Sequence, residues 1–585
     1  MPKQYPISIC MAGAVSAGAY SAGAMSELVK ALRALTDESL NLPYKPPYEI
    51  VIKGMSGASA GSIQAVLSSL DLFSSNPQQE LGRDAWFKAT IDTLLSNDDL
   101  GADNVQSILN SQSLRTNASE RASTHTRAAT WPVFVARDYQ LRLSITNLRG
   151  IPYQLSLPEG NSVDFGMSQH NEYIQYRFTE STEKNNNAHI INPLTAVDYK
   201  TLIDGALASS AFPLAFSAVE IKRPGTDDDN QLTSKRWLDL DSAYELEQQS
   251  FKATYNTKHI QPKWNEKYGE VNTVFSVDGG ATENEPLIEA FKILFGDEID
   301  EWESVPEHVD GKVLFIDPFP NPLDKDIGSG NLRLDKSFGV LAKALIAQAR
   351  FSEKLIVSTK LQNRVGLLYP KRPNLEDNQL AIKSGAIAGF SGFLKQEFMQ
   401  HDYELGRLNM QRFLRYHFTI EADHPHLEGN KEYSEYWNTK GRVPIIPIYQ
   451  QNENGDYEKF SQGETDESKA AFYEKGLNAF QQKFTVEDRM RLKKQLRARF
   501  RKVIPMLLES HSGKTEQRYP DIRLGFSERF KNTRFAMASS NFFMDLGTRV
   551  LAAGFFTDTI IKAIENSLDE QGNLGYRLKG KSKES

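Results

Sequence analysis

Residues 48–70 read YEIVIKGMSGASAGSIQAVLSSL: an apolar run, a G-x-S-x-G box and an apolar stretch with helical spacing follow one another directly. The box is Gly57-Ala58-Ser59-Ala60-Gly61, and its small residues permit the sharp strand-to-helix turn known as a nucleophile elbow. A helix that begins just past Ser59 directs free N–H groups and the positive end of its dipole toward that position. The pattern predicts Ser59 as a nucleophile, with Gly57 and Gly61 required by the turn.

An activated serine needs a base, which is usually a histidine oriented by a carboxylate. The chain has ten histidines in 585 residues, and none lies in a motif typical of that role. Asp278 is the better candidate, because the apolar stretch VFSVD ends at this residue and Gly279 and Gly280 then allow a tight turn. We therefore expect Asp278 to accept the proton of Ser59. A carboxylate is a weak base toward a hydroxyl, so this role requires burial and a raised pKa.

A third element lies near the N-terminus, where the apolar run from Ile7 to Met11 leads into a loop of small residues, GAVSAG at 13–18. Such residues let backbone N–H groups point at an anion, as the oxyanion of ester hydrolysis requires. We expect donors at Gly13 and Ala14, with Gly18 supporting the loop. The alternative is a secretory signal peptide. The glycines, and apolar residues that continue to Leu32 at helical spacing, favour a folded segment instead.

In this order the three elements resemble the patatin-like phospholipase family, and a fourth match, ASSAFP at 208–213, is similar to that family's A-S-S-A-x-P segment. The resemblance covers roughly residues 5–320. It implies an α/β fold with a three-layer α/β/α core, a mostly parallel central sheet and a Ser-Asp dyad without a catalytic histidine. A weaker similarity extends to HDYELGR at 401–407, where we expect His401 and Asp402 to be structural.

The loop at 13–18 departs from the family's usual G-G-G-x-R-G pattern. Ala14 and Val15 replace two glycines, and Ala17 replaces the arginine. If the loop needs a positive φ at position 14 or 15, either residue would be strained, and the β-branched valine most of all. The oxyanion hole is therefore the part of the predicted site where this chain differs most from the family.

Three functional hypotheses follow. The first is a lipid acyl hydrolase of the phospholipase A type, which cleaves acyl esters of phospholipids or related lipids through Ser59 and Asp278. The second is a soluble ester or thioester hydrolase with a Ser-His-Asp triad, for which His308, His401 and His417 are candidates by chain order. The third is a catalytically silent protein that binds a membrane or a partner on the same fold.

Composition limits the other classes of function. With 40% apolar and 24% charged residues the chain is globular. No run approaches the ~18 to 20 apolar residues of a transmembrane helix. Cys10, the single cysteine, excludes an intramolecular disulfide and CxxC-type metal chemistry; we expect it in the core of the first strand. The sequence predicts a protein without a cofactor or a metal. We expect it in the cytoplasm, with any membrane contact being peripheral.

The formal net charge of −7 argues against nucleic-acid binding. Arg489 to Lys502 is nevertheless strongly basic, with eight Lys or Arg residues and no acid. Apolar residues recur there at helical spacing, so the segment predicts an amphipathic helix, and the pattern favours a helix packed on the core with a basic face that is solvated or paired with acids. The alternative is a helix that contacts an anionic membrane. The apolar positions are Leu492, Leu496, Phe500 and Val503.

Two regions are expected. Residues 1–330 would form the catalytic core, with a polar insertion at about 222–270, and residues 331–585 a mostly helical extension. We expect this extension to serve as a lid, a second domain or a membrane-facing surface.

Overall fold

A computed structural model describes the protein over residues 3–101, 105–156, 164–181, 188–195, 197–213, 215–222, 238–239, 259–260, 273–297, 310–319, 364–375, 380–462, 465–512 and 557–578. Its central feature is a nine-stranded sheet, and three short antiparallel pairs (β7–β8, β12–β13, β14–β15) lie outside it. The strands are β1 (Gln4–Met11), β2 (Glu49–Gly57), β3 (Val135–Ser156), β4 (Asp164–Phe178), β5 (His189–Ile191), β6 (Val219–Lys222), β7 (Leu238–Asp239), β8 (His259–Ile260), β9 (Thr273–Asp278), β10 (Lys312–Ile316), β11 (Val365–Leu368), β12 (Thr419–Glu421), β13 (Arg442–Pro444), β14 (Tyr449–Gln451) and β15 (Tyr457–Lys459).

Helices join and flank these strands. They are α1 (Gly18–Thr36), α2 (Ala60–Leu72), α3 (Leu81–Lys88), α4 (Ile91–Leu94), α5 (Ser111–Ser123), α6 (Tyr199–Ser209), α7 (Leu287–Phe295), α8 (Gln396–Tyr416), α9 (Lys431–Trp437), α10 (Asp466–Leu477), α11 (Val486–Ser512) and α12, residues 557–570. None of the described helices is both long and apolar enough to span a bilayer.

Parallel pairing dominates the sheet. Its main path runs β11-β10-β1-β2-β3-β4-β5, and β9 joins it through β3 and carries β6. All pairs from β11 to β3 are parallel, whereas β3 pairs antiparallel with both β4 and β9. Because helices cover both faces, both sides of a parallel strand here are buried, and β10 is buried at all five positions. The predicted α/β fold with a mostly parallel central sheet is confirmed.

Strands β2 and β9 meet end to end along one edge of β3. Gly57, the last residue of β2, pairs with Leu143, and Asp278, the last residue of β9, pairs with Ile145. Since β2 runs parallel to β3 and β9 runs antiparallel, their carboxyl ends converge at this point. The register of β3 therefore sets the distance between the residues that follow β2 and the residue that ends β9.

Alternate side chains of β1 enter two apolar clusters on opposite faces of the sheet. Ile7 and Ile9 pack with α1, α2 and α6, whereas Cys10 packs against α7 and β10. Cys10 is fully buried, as expected, and burial raises the pKa of its thiol. Helices thus cover both faces of the strand that leads into the loop at 13–18.

The HDYELGR segment lies in α8, which packs directly on α1. Glycines allow the two backbones to approach: a Cβ on Gly23 would lie 1.8 Å from the Tyr403 carbonyl oxygen, and one on Gly406 would lie 2.1 Å from that of Tyr20. Arg407 pairs across the interface with Glu27, with Nη2 3.0 Å from Oε2. The segment therefore attaches the C-terminal half of the chain to the first helix of the core.

The C-terminal half is largely helical where it is described, as predicted, with α8 to α12 as its helices. It also supplies β11, which pairs with β10 at one edge of the sheet. The division at residue 330 stays a prediction. Most of the insertion expected at about 222–270 lies outside the described residues.

Candidate active site

Ser59 lies in the tight turn between β2 and α2. Its φ of 52° and ψ of −126° belong to a region that residues with side chains occupy rarely and at an energetic cost. Gly57 and Gly61 must lack side chains, because there is no room for a Cβ atom at either position. A Cβ on Gly57 would lie 2.7 Å from the Gly61 carbonyl oxygen, and one on Gly61 would lie 2.3 Å from that of Met11. The local geometry is that of a nucleophile elbow.

The Ser59 hydroxyl donates a hydrogen bond to Asp278 Oδ2 at 2.7 Å. The other carboxylate oxygen, Oδ1, accepts the Gly280 N–H at 2.7 Å, and Thr146 Oγ1 donates to the Asp278 carbonyl at 2.8 Å. Both partners are buried, with Ser59 6% and Asp278 4% exposed. The structure therefore joins the two predicted residues directly, with no side chain between them.

Burial raises the pKa of Asp278 from 3.8 to about 6. The hydrogen bonds from Ser59 and Gly280 favour the charged carboxylate and oppose this shift, but they do not cancel it. A carboxylate with a pKa near 6 is a stronger base than an ordinary aspartate and is still mostly ionised at neutral pH. The role as a base that the sequence predicts for Asp278 requires this kind of shift.

The ASSAFP segment supports both residues. The Ser209 hydroxyl accepts the Ser59 N–H at 3.0 Å and lies 2.6 Å from Ser62 Oγ, while the Ala211 carbonyl accepts the Asp278 N–H at 3.0 Å. One short segment thus fixes the backbone at both members of the pair. The motif is visible in the sequence, but the contacts of Ser209 are not, because its partners lie far away in the chain.

The loop at 13–18 passes directly over Ser59. A Cβ on Gly13 would lie 2.9 Å from Ser59 Cβ and 2.3 Å from Asn284 Oδ1. The Gly13 N–H donates to the Asn284 carbonyl at 3.1 Å, and Asn284 Nδ2 donates back to the Gly13 carbonyl at 3.3 Å. The N–H of Gly13, predicted as an oxyanion donor, is therefore occupied in this structure. Asn284 is an anchor that the sequence did not reveal.

Val15 has a φ of 48°, so the positive φ considered for position 14 or 15 falls on the valine. Ala14 has a φ of −150°. Strain of this kind costs about 1–3 kcal/mol and persists only where the surroundings enforce it.

Three N–H groups near Ser59 remain available. Among the described hydrogen bonds, none uses the N–H of Ala14, Val15 or Ala60. Ala60 is the first residue of α2, where an N–H has no partner within the helix. The other motif glycines are needed for space, since a side chain would collide with Trp86 at Gly18, with Ser144 at Gly279 and with Asn284 at Gly280.

A segment from the C-terminal half, residues 383–394, covers the loop at 13–18; we call it the cover segment. Ser16 Oγ donates to the Gly389 carbonyl and accepts the Gly392 N–H at 3.0 Å. A Cβ on Gly389 would lie 3.2 Å from Val15 Cβ. The cover segment thus contacts the strained residue and its neighbour.

Asp402 of α8 holds the cover segment. Oδ1 accepts the Lys383 N–H at 2.7 Å, and Oδ2 accepts the Ser384 N–H at 2.9 Å together with the Ser384 hydroxyl. His401 is also fully buried, and its Nδ1 lies 2.8 Å from Asp402 Oδ1. These bonds give the pair a structural role. Its connection to the loop at 13–18 is a long-range contact that no local pattern indicated.

The histidines proposed for a triad do not bond to Ser59 in the described residues. His401 is engaged with Asp402, and its Nε2 lies 3.5 Å from Arg372 Nη1. His417 ends α8 and is exposed. His308 lies outside the described residues.

The basic segment from Arg489 to Lys502 forms part of α11. Leu492, Leu496 and Phe500 lie in a core cluster, and Val503 is also buried. Acidic side chains neutralise many of its charges. The pairs are Arg489–Glu565, Arg491–Asp92, Arg491–Asp488, Lys493–Asp558, Arg497–Asp558 and Arg499–Asp99. Lys494, Arg501 and Lys502 are exposed and form none of the described ion pairs. Membrane contact through this segment stays a prediction.

Comparison with known proteins gives three findings. The model of the family described as patatin-like phospholipase matches residues 9–291. The Sinorhizobium fredii protein named "Uncharacterized protein y4iI" is 28% identical over 525 residues, which are 76% of this chain and 70% of that protein. The crystal structure of VipD from Legionella pneumophila aligns over 68% of this chain and 67% of that chain, at 10% identity and a TM-score of 0.22.

The family match spans the elements described above, from β1 through the elbow and the ASSAFP segment to Asp278 and α7. At the level of the family it supports a lipid hydrolase. Residues 9–291 therefore match the patatin-like phospholipase family, and the family resemblance of the sequence motifs is confirmed over that range.

Proposed function

We propose that this protein is a lipid acyl hydrolase of the phospholipase A type that cleaves carboxylic esters through a Ser59–Asp278 dyad. The observation that carries the proposal is the 2.7 Å hydrogen bond from the Ser59 hydroxyl to a buried carboxylate whose pKa is raised to about 6. A base this close needs no intervening histidine. The geometry favours the dyad over the triad, because no described histidine bonds to Ser59.

In the proposed mechanism, Asp278 Oδ2 accepts the hydroxyl proton while Ser59 Oγ attacks the ester carbonyl carbon. The resulting oxyanion is held by backbone N–H groups. Ala14 and Ala60 are the candidate donors, since neither N–H takes part in a described hydrogen bond, whereas Gly13 would first have to release Asn284. Protonated Asp278 then returns the proton to the leaving alkoxide, and the acyl group stays on Ser59. Water, deprotonated by Asp278, attacks the acyl-enzyme and releases the fatty acid.

The surroundings of the dyad suit an acyl chain. Val15, Phe212 and Phe390 are half-buried and pack against an apolar cluster that includes Ala60, next to the nucleophile. The rings of Phe212 and Phe390 lie 5.7 Å apart in an edge-on arrangement. A lipid substrate would replace water at these partly exposed surfaces, which is favourable for apolar area. This supports a lipid substrate over a small polar ester.

The test is fluorophosphonate labelling together with fatty-acid release from mixed phosphatidylcholine and phosphatidylglycerol vesicles. We expect wild type to be labelled at Ser59, identified by peptide mass spectrometry, and to release fatty acid. Ser59→Ala should do neither. Ser39→Ala, which changes an exposed serine, is the matched control and should behave as wild type.

Absence of both labelling and release in folded wild type would overturn the proposal in favour of a catalytically silent protein. Full activity in Asp278→Asn with loss in His308→Gln or His417→Gln would instead favour the triad.

A further inference from the structure

A second cluster of polar side chains lies at the opposite end of the sheet from Ser59. It contains Asp310, which precedes β10, and His424 and His426, which flank Pro425 in a short turn after β12. Each residue offers one ligand atom, and the three atoms lie within 4.8 Å of one another. We call these residues the Asp-His-His cluster.

His426 has a described ring hydrogen bond at Nε2 but none at Nδ1. Its Nε2 lies 3.1 Å from the Gln4 carbonyl oxygen, which can only accept, so Nε2 carries a proton. Nδ1 then either presents a lone pair or carries a second proton. It is buried without a described hydrogen bond and lies 3.2 Å from Asp310 Oδ2, itself an acceptor. His426 is 9% exposed. A lone pair on Nδ1 and the Asp310 carboxylate would repel each other at this distance, so either a proton on Nδ1 or a metal cation lies between them.

His424 completes the arrangement. Its Nε2 lies 3.3 Å from Asp310 Oδ1, and its Nδ1 accepts the His426 N–H at 3.2 Å. His424 Nε2 can bind a metal only if the ring proton moves from Nε2 to Nδ1. That move would break the 3.2 Å hydrogen bond that Nδ1 accepts from the His426 N–H.

The spacing fits a tetrahedral ion. Ligands at about 2.0–2.1 Å from zinc lie about 3.3 Å from one another. Asp310 Oδ2 lies 3.2 Å from His426 Nδ1, and Asp310 Oδ1 lies 3.3 Å from His424 Nε2, so each pair is close to this edge length. An ion bound through one carboxylate oxygen would draw together ligand atoms that now lie within 4.8 Å of one another. The bond from His426 Nε2 to the Gln4 carbonyl is the kind of outer contact that orients a ligating histidine.

Packing holds the two imidazoles in place. Tyr5 and Tyr48 each stack edge-on against His426 with ring centroids 5.6 Å apart. Asp310 is 41% exposed at its side chain, so solvent can reach the fourth position of an ion.

We propose that Asp310, His424 and His426 bind a divalent transition-metal ion of the zinc type that joins β1, β10 and the turn at 424–426. Its role is structural. The eight residues of β1 separate the cluster at Gln4 from the loop over Ser59, a distance of about 23 Å at 3.3 Å per residue. The ion is therefore too distant to take part in ester cleavage. The sequence did not predict this site, because its ligands come from distant parts of the chain.

The test uses full-length protein without a histidine tag, stripped by a chelator and then titrated with Zn²⁺ or Co²⁺. We expect one equivalent of metal to bind. Bound Co²⁺ should give the visible absorption typical of tetrahedral N/O coordination, and Zn²⁺ at about 100 times its Kd should raise Tm by about 3 °C. Asp310→Asn and His426→Gln should each lose the Co²⁺ spectrum and the Tm shift.

His417→Gln is the matched control, because it removes an exposed histidine outside the cluster, and it should keep both signals. Failure of stripped wild type to bind either metal would overturn the proposal and leave a protonated His426 as the cation beside Asp310. An unchanged Co²⁺ spectrum in Asp310→Asn would also contradict it. Neither readout depends on esterase activity, so the result stands apart from the proposed function.

Discussion

Ser59 and Asp278 each destabilise the folded protein. The backbone of Ser59 is strained, and the carboxyl group of Asp278 is buried, with 4% of the residue exposed. The strain places the hydroxyl beyond the end of β2, and burial raises the carboxyl pKa to about 6. Each cost serves the proposed reaction, because one presents the nucleophile and the other strengthens its base.

The raised pKa predicts a pH profile. Protonated Asp278 cannot accept a proton from Ser59, so kcat/KM should fall about tenfold per pH unit below about pH 6 and level off above it. Initial rates on a soluble acyl ester from pH 4.5 to 8 measure this. A profile that stays flat to pH 4.5 would contradict the role of Asp278 as base.

The raised pKa of Asp278 also makes the free energy of unfolding depend on pH, and this dependence runs opposite to that of the activity. The folded-state pKa lies above the unfolded value of 3.8, so the stabilising contribution is complete below pH 3.8 and is lost as the pH rises through about 6. Ionised Asp278 therefore destabilises the fold at the pH where the proposed enzyme works.

Val15 offers a test of backbone strain. At ordinary positions alanine is more stable than glycine by about 0.5–1 kcal/mol, but a left-handed φ costs an alanine about 1–2 kcal/mol. At φ 48°, Val15→Gly should therefore be more stable than Val15→Ala in urea unfolding. Glu474→Gly and Glu474→Ala, at an exposed position of α10, form the control pair and should show the usual order. The usual order at Val15 as well would show that its conformation relaxes.

At this scale the sequence predicted much of the site. The G-x-S-x-G box and the acid at the end of a strand identified the two residues that the structure joins, because their local chemistry is distinctive. It also identified where a positive φ would be strained. Ser209 and Asn284 escaped prediction, because hydrogen bonds between distant segments leave no local pattern.

Among the secondary-structure elements, the cover segment links the C-terminal half to the proposed oxyanion hole. Asp402 on α8 binds Lys383 and Ser384, and the same segment reaches Ser16 through Gly389 and Gly392. We infer that Asp402 is a positioning residue for the loop at 13–18, because the segment that it holds contacts Ser16 of that loop. An asparagine at position 402 could not accept all of the hydrogen bonds that Asp402 accepts.

Asp402→Asn should lower kcat by about tenfold or more, with a smaller change in KM, because the oxyanion donors act mainly in the transition state. Rates are normalised to the labelled fraction, so unfolded protein does not count. Glu404→Gln, on the same helix, is the control and should keep kcat. An Asp402→Asn protein with lower Tm but unchanged kcat would reduce the residue to a purely structural role.

The strands that lead to the site were predictable, since the apolar runs that end at Met11, before Gly57 and at Asp278 form β1, β2 and β9. The end-to-end meeting of β2 and β9 was not predicted, because it depends on the register of each with β3. Pairing register is a property of two segments together and is not visible in either one alone.

On the scale of the whole molecule, the basic helix α11 is both a packing element and a candidate membrane surface. Its apolar side lies in the core, and acids pair with Arg489, Lys493 and Arg499. The sequence offers eight basic side chains that could contact a membrane. Most of them form ion pairs with acidic side chains, many of which lie far away in the chain, and so are not free to contact a membrane.

The remaining exposed cations predict a modest effect. Each contributes about 1 kcal/mol near an anionic surface before screening, so replacing Lys494, Arg501 and Lys502 by Gln should weaken binding to phosphatidylserine vesicles by up to about 100-fold at low salt. The control changes three exposed lysines elsewhere, Lys431, Lys440 and Lys475, to Gln. Equal binding by both triple variants in vesicle sedimentation would exclude α11 as the contact surface.

The central claim is that Ser59 and Asp278 act as one catalytic unit, and a double-mutant cycle on fatty-acid release tests it most directly. We predict that Ser59→Ala and Asp278→Asn each lower kcat by at least about 1,000-fold, and that the double variant is no slower than either. Asp456→Asn, in an exposed turn, should retain wild-type rates. Losses that multiply in the double variant, or an Asp278→Asn enzyme within about tenfold of wild type, would contradict the dyad.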